Sequence, residues 1–281
     1  MSVLVVGGSG FLGSELVRQA TAAGHVTAAT FATRPDSVPD AIRHDLDLRK
    51  PQRVESVVAD LAPCAIINAT SHAADWAVTA EGPVRLALAA ARHGCRLVHV
   101  SSDAVFSGAS VHYDESQLPD PVTPYGAAKA AAETGVRLVY PDAVVARTSL
   151  IIGDRDSVHV RAVHDLTSGG WAGVLFTDDV RCPVHVSDLA AALLELAFSH
   201  ASGVRHLAGA DPVSRYELGV LIAHRDGLDV SRLRAGRRSE SGIPGGLDIR
   251  LDCRATQREL VTPLRGAREF LVEGTNTPSN R

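Results

Sequence analysis

The sequence predicts an α/β protein: a Rossmann, doubly wound parallel sheet with a small C-terminal lobe. Apolar strand patterns alternate with amphipathic helix patterns from residue 3 to about residue 153, as in a parallel sheet that helices cover on both faces. The glycine-rich stretch "GGSGFLG" (7–13) lies between the first strand and the first helix, where such sheets bind dinucleotides. A length of 281 residues suits one domain of this kind with a smaller lobe added.

The strands of the sheet are predicted from short apolar, β-branched runs that end at turn residues. They are "VLVV" (3–6), "HVTAATF" (25–31), "CAIINAT" (64–70), "CRLVHVSS" (95–102) and "AVVARTSLIIG" (143–153). Proline and glycine mark several of the helix ends between them. The helices are one with Leu12, Leu16 and Ala20 on one face and a stop at Gly24, then "PQRVESVVADLA" (51–62), "EGPVRLALAAARHG" (81–94) and the helix that contains Tyr125.

The alternating pattern weakens after Gly153, where Gly- and Arg-rich loops appear. One further helix, "SDLAAALLELAF" (187–198), begins with the N-cap pair Ser187 and Asp188, and the strand "VRHLAG" (204–209) is expected to rejoin the sheet. We therefore divide the chain into three parts. They are a dinucleotide-binding domain (1–153 and about 185–209), a substrate lobe (about 154–184 and 210–270) and a disordered tail (271–281).

The composition disfavours nucleic-acid and membrane functions. A net charge of −4 and an aromatic content of 4% do not suit a nucleic-acid-binding surface. The start of the chain lacks the basic region of a signal peptide, and the longest apolar helix pattern, from Leu189 to Phe198, is too short to span a bilayer. We expect neither nucleic acid nor membrane as a partner.

The cysteines and histidines are scattered along the chain. The cysteines form no Cys-x-x-Cys pair, which is typical of free thiols in a reducing cytoplasm; they are Cys64, Cys95, Cys182 and Cys253. "HVRAVH" (159–164) lacks the i, i+4 spacing of helical zinc ligands, so no metal site is expected. The sequence predicts a cytoplasmic protein.

The glycine loop predicts a dinucleotide site. Glycines 8, 10 and 13 satisfy the G-x-G-x-x-G pattern directly after a strand and before a helix. A turn without side chains lets a pyrophosphate approach the helix N-terminus, where N–H groups and the helix dipole favour anions. An ordinary glycine-rich turn is the alternative. The candidate cofactor-binding residues here are Gly7, Gly10, Phe11, Leu12 and Gly13.

Later strand ends add candidates for the rest of the cofactor. The second strand ends in "TFATRP" without the carboxylate that would hold an NAD ribose, so Arg34 suits the 2′-phosphate of NADPH. An exposed loop arginine is the alternative there, and NADH stays an alternative cofactor. Asp45 and Leu46 are placed to meet the adenine, and Ala69 in "INAT" is a further candidate.

A tyrosine and a lysine predict acid–base chemistry. Tyr125 and Lys129 lie four residues apart in "TPYGAAKAAAE" (123–133), so they share one helix face. An ammonium near a phenol lowers the tyrosine pKa, so we expect Lys129 to make Tyr125 exchange protons more easily. Ser102 ends its strand at the edge where open α/β sheets bind ligands. A surface helix with a packed tyrosine and a solvated lysine is the plain alternative.

Several motifs occur in an order that is known from one enzyme family. They are "GGSGFLG" (7–13), "INAT" (67–70), "LVHVSSDAVFSG" (97–108), "PYGAAKAAAE" (124–133), "ARTSLIIG" (146–153), "CPVHVSDLAAAL" (182–193) and "LDCRATQREL" (251–260). With them the chain resembles an extended short-chain dehydrogenase/reductase, and more narrowly the dTDP-4-dehydrorhamnose reductase branch.

The resemblance implies roles for the candidate catalytic residues. Ser102 would fix the substrate carbonyl, Tyr125 would be the acid, and Lys129 would also hold the nicotinamide ribose. Ala104 stands where the family has an aromatic residue, and where related 4,6-dehydratases carry a second acid. We therefore expect no dehydratase activity.

Three further residues are candidates for substrate binding. Asp103 follows the catalytic serine, and Trp76 lies in a segment (71–82) that is shorter than is usual in the family. Arg181 is a candidate for a sugar-nucleotide phosphate, with a solvated arginine as the alternative.

The function that the resemblance implies is an NADPH-dependent ketoreductase. Its substrate would be a nucleotide-linked 4-keto-deoxysugar or a similar polar metabolite, and a homodimer is expected. The alternatives are a sugar epimerase of the same fold and a non-catalytic, NADP-binding regulatory subunit.

Overall fold

A computed structural model of the chain describes residues 1–32, 41–154 and 156–273. In chain order its strands are β1 (Ser2–Val6), β2 (Val26–Phe31), β3 (Ile42–Asp45), β4 (Ala65–Asn68), β5 (Arg96–Ser102), β6 (His112–Tyr113), β7 (Val144–Thr148), β8 (Ile151–Ile152), β9 (Leu175–Phe176), β10 (Val180–Arg181), β11 (Val184–His185), β12 (Gly203–Leu207), β13 (Val213–Ser214), β14 (Ala235–Gly236) and β15 (Arg250–Leu251). The α-helices are α1 (Phe11–Ala22), α2 (Pro51–Leu61), α3 (Gly82–Arg92), α4 (Pro124–Val139), α5 (Val158–Ser168), α6 (Val186–Ala197), α7 (Arg215–Arg225), α8 (Arg254–Gln257) and α9 (Ala267–Glu273).

A seven-stranded parallel sheet forms the centre of the molecule. Its order is β12-β7-β5-β4-β1-β2-β3, and every neighbouring pair is parallel. The predicted fold class is therefore confirmed, and the strand at 204–209 rejoins the sheet as β12. The direction of strand order reverses between β1 and β4, and ligands of open α/β sheets bind at the carboxyl ends of the strands at such a point.

Two hydrophobic clusters cover the two faces of the sheet. On one face Leu16 of α1 and Leu189 of α6 pack against the strands, and on the other Val57 of α2 and Leu86 of α3 do so. These side chains are at most 2% exposed. They explain why strands without polar alternation are the strongest signal in the sequence.

Two local predictions were wrong in detail, and one strand was missed. The strand at 143–153 divides into β7 and β8, because the chain leaves the central sheet after Thr148 and β8 pairs with β11. The N-cap of α6 is His185, whose ring accepts from the Ser187 backbone N–H, while Asp188 lies in the first turn and binds Arg265 at 2.9 Å. The edge strand β3 was missed because it is mostly exposed and lacks an apolar pattern.

The lobe is more regular than the sequence suggested. Helices α5, α7 and α9 share a third hydrophobic cluster, to which Val163, Ile222 and Phe270 contribute. Leu271 is 2% exposed within α9, so the tail predicted from 271 begins too early, and residues 274–281 lie outside the described residues. Among the helices that the structure describes, none is long and apolar enough to cross a membrane.

Candidate active site

The glycine loop brings α1 against the end of β1. A β-carbon on Gly13 would lie 2.0 Å from the carbonyl oxygen of Gly7, so only glycine permits this approach. Gly7 itself has φ +88°, a left-handed conformation that favours glycine. Gly10 is the N-cap of α1 and has no side chain to bond the first helical N–H groups. The loop therefore leaves a bare helix N-terminus that suits a pyrophosphate.

A cleft of about 450 Å³ opens beside this loop. Four of the predicted cofactor-binding residues, Gly7, Gly10, Leu46 and Ala69, line it, together with Thr30, which accepts a 3.1 Å hydrogen bond from the Gly7 N–H. The cleft spans the point where the strand order reverses. Its bare glycine backbone and mixed walls fit a dinucleotide.

The other predicted cofactor residues lie elsewhere. Leu12 is 7% exposed and its side chain packs in the core, so only its backbone could face a ligand. Asp45 is exposed at the end of β3, while its neighbour Leu46 reaches the cleft. The ring of Phe11 lies against Gly153. Arg34 lies outside the described residues.

A charged group on the cleft wall was missed by the sequence analysis. Arg49 lines the cleft and forms ion pairs with Asp47 at 2.9 Å and with Asp75 at 3.5 Å. The only signal was its place in "DLDLRK" after β3. Trp76, predicted at the substrate, is 52% exposed; from its segment the structure brings Asp75 and Val78 to the cleft instead.

Helix α4 sets Tyr125 beside Ser102. Thr123 caps the helix, since its hydroxyl accepts a 3.0 Å bond from the Gly126 N–H, and Pro124 occupies the first turn. A β-carbon on Gly126 would lie 2.0 Å from the Ala104 carbonyl oxygen, so the helix rests directly on the turn that follows Ser102. In the sequence, only the family resemblance predicted that the hydroxyls of Ser102 and Tyr125 meet. The physical signal for the close approach of α4 to the turn after Ser102 is Gly126, directly after the tyrosine.

Tyr125 has an environment opposite to the one predicted. Burial raises the pKa of Tyr125, while the neighbouring hydroxyls of Ser71 and Ser102 lower it by less than burial raises it. The Ser71 Oγ lies 3.3 Å from the phenol oxygen and donates to it. Tyr125 is therefore protonated at neutral pH, as a proton donor must be.

Lys129 is buried beneath the site. Its side chain is 2% exposed and its ammonium donates a 2.9 Å bond to the carbonyl oxygen of Val100 in β5. Burial lowers the pKa of Lys129 to about 8. The expectation that Lys129 lowers the pKa of Tyr125 was thus wrong for this arrangement, because the ammonium binds the backbone of β5 and burial governs the phenol.

Asp103 accepts a hydrogen bond from Ser102, and two other side chains fix its carboxylate. Its Oδ1 lies 3.3 Å from the Ser102 hydroxyl, and its Oδ2 accepts a 2.7 Å bond from the Ser149 hydroxyl. Arg181 approaches the same Oδ2 at 3.6 Å. Asp103 is only 5% exposed, so the geometry favours orientation of Ser102 over direct binding of substrate.

Arg181 is a structural arginine in this geometry. It is 6% exposed and forms an ion pair with Asp179 at 2.8 Å. Its guanidinium also donates to the carbonyl oxygens of Gly246 at 2.7 Å and Leu247 at 3.1 Å. The interpretation as an open phosphate-binding arginine, and the solvated alternative, were both wrong because these partners fill its donors.

A buried ion pair supports α4 from below and was missed by the sequence analysis. Glu133 binds Arg147 of β7 at 2.8 Å and accepts a 2.6 Å bond from the Ser101 hydroxyl of β5. The Arg147 guanidinium also lies 4.9 Å above the ring of Phe106. These contacts tie the catalytic helix to two strands of the sheet.

The lobe contains a second cavity, of about 250 Å³. Its apolar walls include Trp171, Phe176 and Ile243, and its charged walls include Arg215. Asp179 also lines it and pairs with Arg215 at 3.4 Å. Asp179 also pairs with Arg181, which in turn lies 3.6 Å from Asp103. Buried ion pairs therefore connect the cavity with Asp103.

Comparisons with known proteins agree on one family. A family model described as "RmlD substrate binding domain" matches residues 1–276. The spore coat polysaccharide biosynthesis protein SpsK of Bacillus subtilis is 31% identical over 82% of this chain and 81% of its own. The dTDP-4-dehydrorhamnose reductase of Mycobacterium tuberculosis is 30% identical over 99% of this chain and 93% of its own. A crystal structure of dTDP-4-dehydrorhamnose reductase from Bacillus anthracis in complex with NADP has a similar fold, with a TM-score of 0.82, 22% identity and coverage of 97% of each chain.

Proposed function

This chain belongs to the RmlD substrate binding domain family, and on that premise we propose that it is an NADPH-dependent ketoreductase of a nucleotide-linked 4-keto-deoxysugar or a similar polar ketone. The predicted resemblance to the dTDP-4-dehydrorhamnose reductase branch is confirmed by the match over residues 1–276 and by a reductase relative at 30% identity. The assignment of roles to individual residues remains our proposal.

The observation that carries the proposal is the meeting of two hydroxyls beside the cleft. Ser102 ends β5 at the carboxyl edge of the sheet, and its hydroxyl lies near enough to the phenol of Tyr125 to lower the pKa of that phenol. Ser102 can orient a carbonyl oxygen, and Tyr125, protonated because burial raises its pKa, can donate a proton to that oxygen. A nicotinamide cofactor, when bound, supplies the hydride. The glycine loop, Leu46 and Ala69 would hold it, and Lys129 would meet its ribose.

The cavity in the lobe supports a substrate with a nucleotide. Trp171 and Phe176 offer aromatic surface for a base, and Arg215 and Arg238 offer positive charge for phosphate. Asp179 neutralises part of this positive charge, because it pairs with Arg238 at 2.5 Å. A polar group attached to the ketone would thus be recognised away from the reacting carbon.

The test is NADPH oxidation against a panel of nucleotide-linked 4-keto sugars and smaller ketones. We expect turnover with a keto sugar, and a Tyr125→Phe variant should lose about 10²- to 10⁴-fold in kcat while NADPH affinity stays within about twofold. Absence of net NADPH oxidation with every ketone would contradict the proposal. Conversion of a nucleotide sugar to its epimer without net oxidation would instead identify an epimerase.

We also propose a homodimer in a reducing compartment, the cytoplasm. The compartment is supported by the four cysteines of the chain, which are free thiols.

The dimer is supported by two exposed leucines on neighbouring helices. Leu88 of α3 is 39% exposed and Leu138 of α4 is 77% exposed, and these two helices pack together at Val84 and Gly135. Light scattering of the wild type and of a Leu138→Lys variant tests the dimer; a monomeric wild type at micromolar concentration would contradict it.

A further inference from the structure

Two cysteines lie side by side at the amino edge of the central sheet. Cys64 directly precedes β4 and Cys95 directly precedes β5, and the residues that follow them, Ala65 and Arg96, are register partners. The Arg96 N–H donates a 3.1 Å hydrogen bond to the carbonyl oxygen of Cys64. Neighbouring strands lie about 4.7–4.9 Å apart, which falls within the range of Cα–Cα distances that disulfides span.

Both cysteine side chains lie on the same face of the sheet. Side chains alternate along a strand, so Cys64 points to the same side as Ile66, and Cys95 points to the same side as Leu97. Ile66, Leu97 and Cys95 all belong to the hydrophobic cluster that α2 and α3 cover. A bond between the two sulfurs would therefore not have to cross the sheet.

The environments of the two thiols differ. Cys64 is exposed, and its Sγ accepts a 3.4 Å hydrogen bond from the Ser2 hydroxyl, which lowers the pKa of Cys64. Cys95 is 1% exposed, and burial raises its pKa, as does the nearby charge of Cys64. Cys64 is thus the thiol that an oxidant can reach and that forms a thiolate more easily, while Cys95 lies protected beside it.

We propose that Cys64 and Cys95 form a reversible thiol–disulfide pair that reacts with hydroperoxides. The Cys64 thiolate attacks the peroxide: an S–O bond forms, the O–O bond breaks, and the leaving oxygen takes a proton as water or an alcohol. Cys64 then rotates from Ser2 toward Cys95, whose sulfur displaces hydroxide as the S–S bond forms. That hydroxide takes the Cys95 proton as water. The two thiols together supply the two electrons that the peroxide accepts.

The thiol pair is independent of the proposed reduction. It lies at the amino edge of the sheet, opposite the carboxyl edge where Ser102 ends β5, so neither cysteine belongs to the candidate active site. A disulfide here would be exposed at Cys64, and exposed disulfides are more easily reduced than buried structural ones. We therefore expect the bond to form under peroxide and to open with glutathione.

Peptide mapping of the full chain by mass spectrometry after treatment with hydrogen peroxide tests the pair. We expect a Cys64–Cys95 disulfide that glutathione reverses. Cys95→Ala should lose that disulfide and accumulate the sulfenic acid of Cys64, trapped with dimedone, and then the irreversible sulfinic acid. Cys182→Ala, which removes another buried thiol, is the matched control and should keep the disulfide.

Three results would overturn the proposal. They are conversion of wild-type Cys64 to sulfinic acid as fast as in Cys95→Ala, a disulfide that joins any other pair of cysteines, and thiols that all remain reduced. Cys64→Ser changes an exposed side chain and is a second check, because it should leave Cys95 reduced; oxidation of Cys95 in that variant at the wild-type rate would also overturn the proposal. No cofactor or ketone is present, so these outcomes do not depend on the proposed function.

Discussion

Gly126 of α4 lies so close to Ala104 that a β-carbon would come within 2.0 Å of the Ala104 carbonyl oxygen. This contact sets the distance between the helix that carries Tyr125 and the turn that carries Ser102. Gly126 lies in the first turn of α4, and packing requires glycine there although glycine is unfavourable in helices by propensity.

We predict that Gly126→Ala separates these two elements. The added carbon must displace α4 or the turn, which should destabilise the protein by about 1–3 kcal/mol and move Tyr125 away from Ser102. The kcat should fall more than NADPH affinity does. Urea unfolding and steady-state kinetics measure both effects. Thr134→Ala, exposed on the same helix, is the control and should stay within about 0.5 kcal/mol of wild type. Full activity of Gly126→Ala would show that the contact does not set the geometry.

The sequence predicted the sheet well because its strands are buried on both faces. Leu4, Ile66 and Val98 are each fully buried, and each lies in a short run of consecutive apolar residues that is easily recognised. The exposed edge strand β3 has no such pattern and was missed. In the lobe, α5 and α7 bury one face only within a loop-rich region, so the pattern was weaker there.

The candidate site was predictable in its residue types but not in its contacts. The positions of Ser102, Tyr125 and Lys129 follow from strand ends and helix spacing. The direction of the Lys129 ammonium depends on Val100, 29 residues away, and the partners of Arg181 lie at Asp179 and near residue 246. Long-range pairings of this kind leave no periodic signal in one sequence.

A second prediction concerns the buried charge of Lys129. Burial lowers its pKa in the folded chain from 10.5 to about 8, so between those values the unfolded state binds the extra proton. Stability should therefore rise as the pH increases from about 8 to 10.5, and the buried charge costs on the order of 3 kcal/mol at neutral pH. Lys129→Met should be more stable than wild type at pH 7 and should lose this rise. Urea titrations across this pH range measure it, and parallel pH profiles of the two proteins would contradict the prediction.

A third prediction compares a buried with an exposed ion pair. Glu133→Gln leaves Arg147, which is 1% exposed, without its charged partner and should cost about 3–5 kcal/mol. Glu259→Gln removes the partner of Arg205 at 3.1 Å, where the Glu259 side chain is 51% exposed, and should cost at most about 1 kcal/mol. Denaturant unfolding of both variants measures the two losses in the free energy of unfolding. Equal losses would mean that the pair under α4 does not anchor the catalytic helix.

The last prediction concerns the preference for NADPH over NADH. Strand β2 ends at Phe31, and no carboxylate follows before Arg34, so nothing in that stretch would repel a 2′-phosphate. Arg34 can make a two-pronged contact with that phosphate, and a hydrogen bond to a charged group contributes roughly 1.5–3 kcal/mol, or about ten- to a hundredfold in affinity. Screening by solvent would place the expected ratio of NADH to NADPH Kd values toward the lower end. Arg34→Ala should erase most of that ratio with little change in NADH affinity. Arg49, which lines the cleft, is the matched control: Asp47 and Asp75 already hold its guanidinium, so Arg49→Ala should leave the ratio within about twofold of wild type. Fluorescence titration of the wild type and of both variants with both cofactors gives the three Kd ratios needed. Loss of the preference in Arg49→Ala but not in Arg34→Ala would move the 2′-phosphate site to Arg49, and equal wild-type Kd values for the two cofactors would remove it altogether.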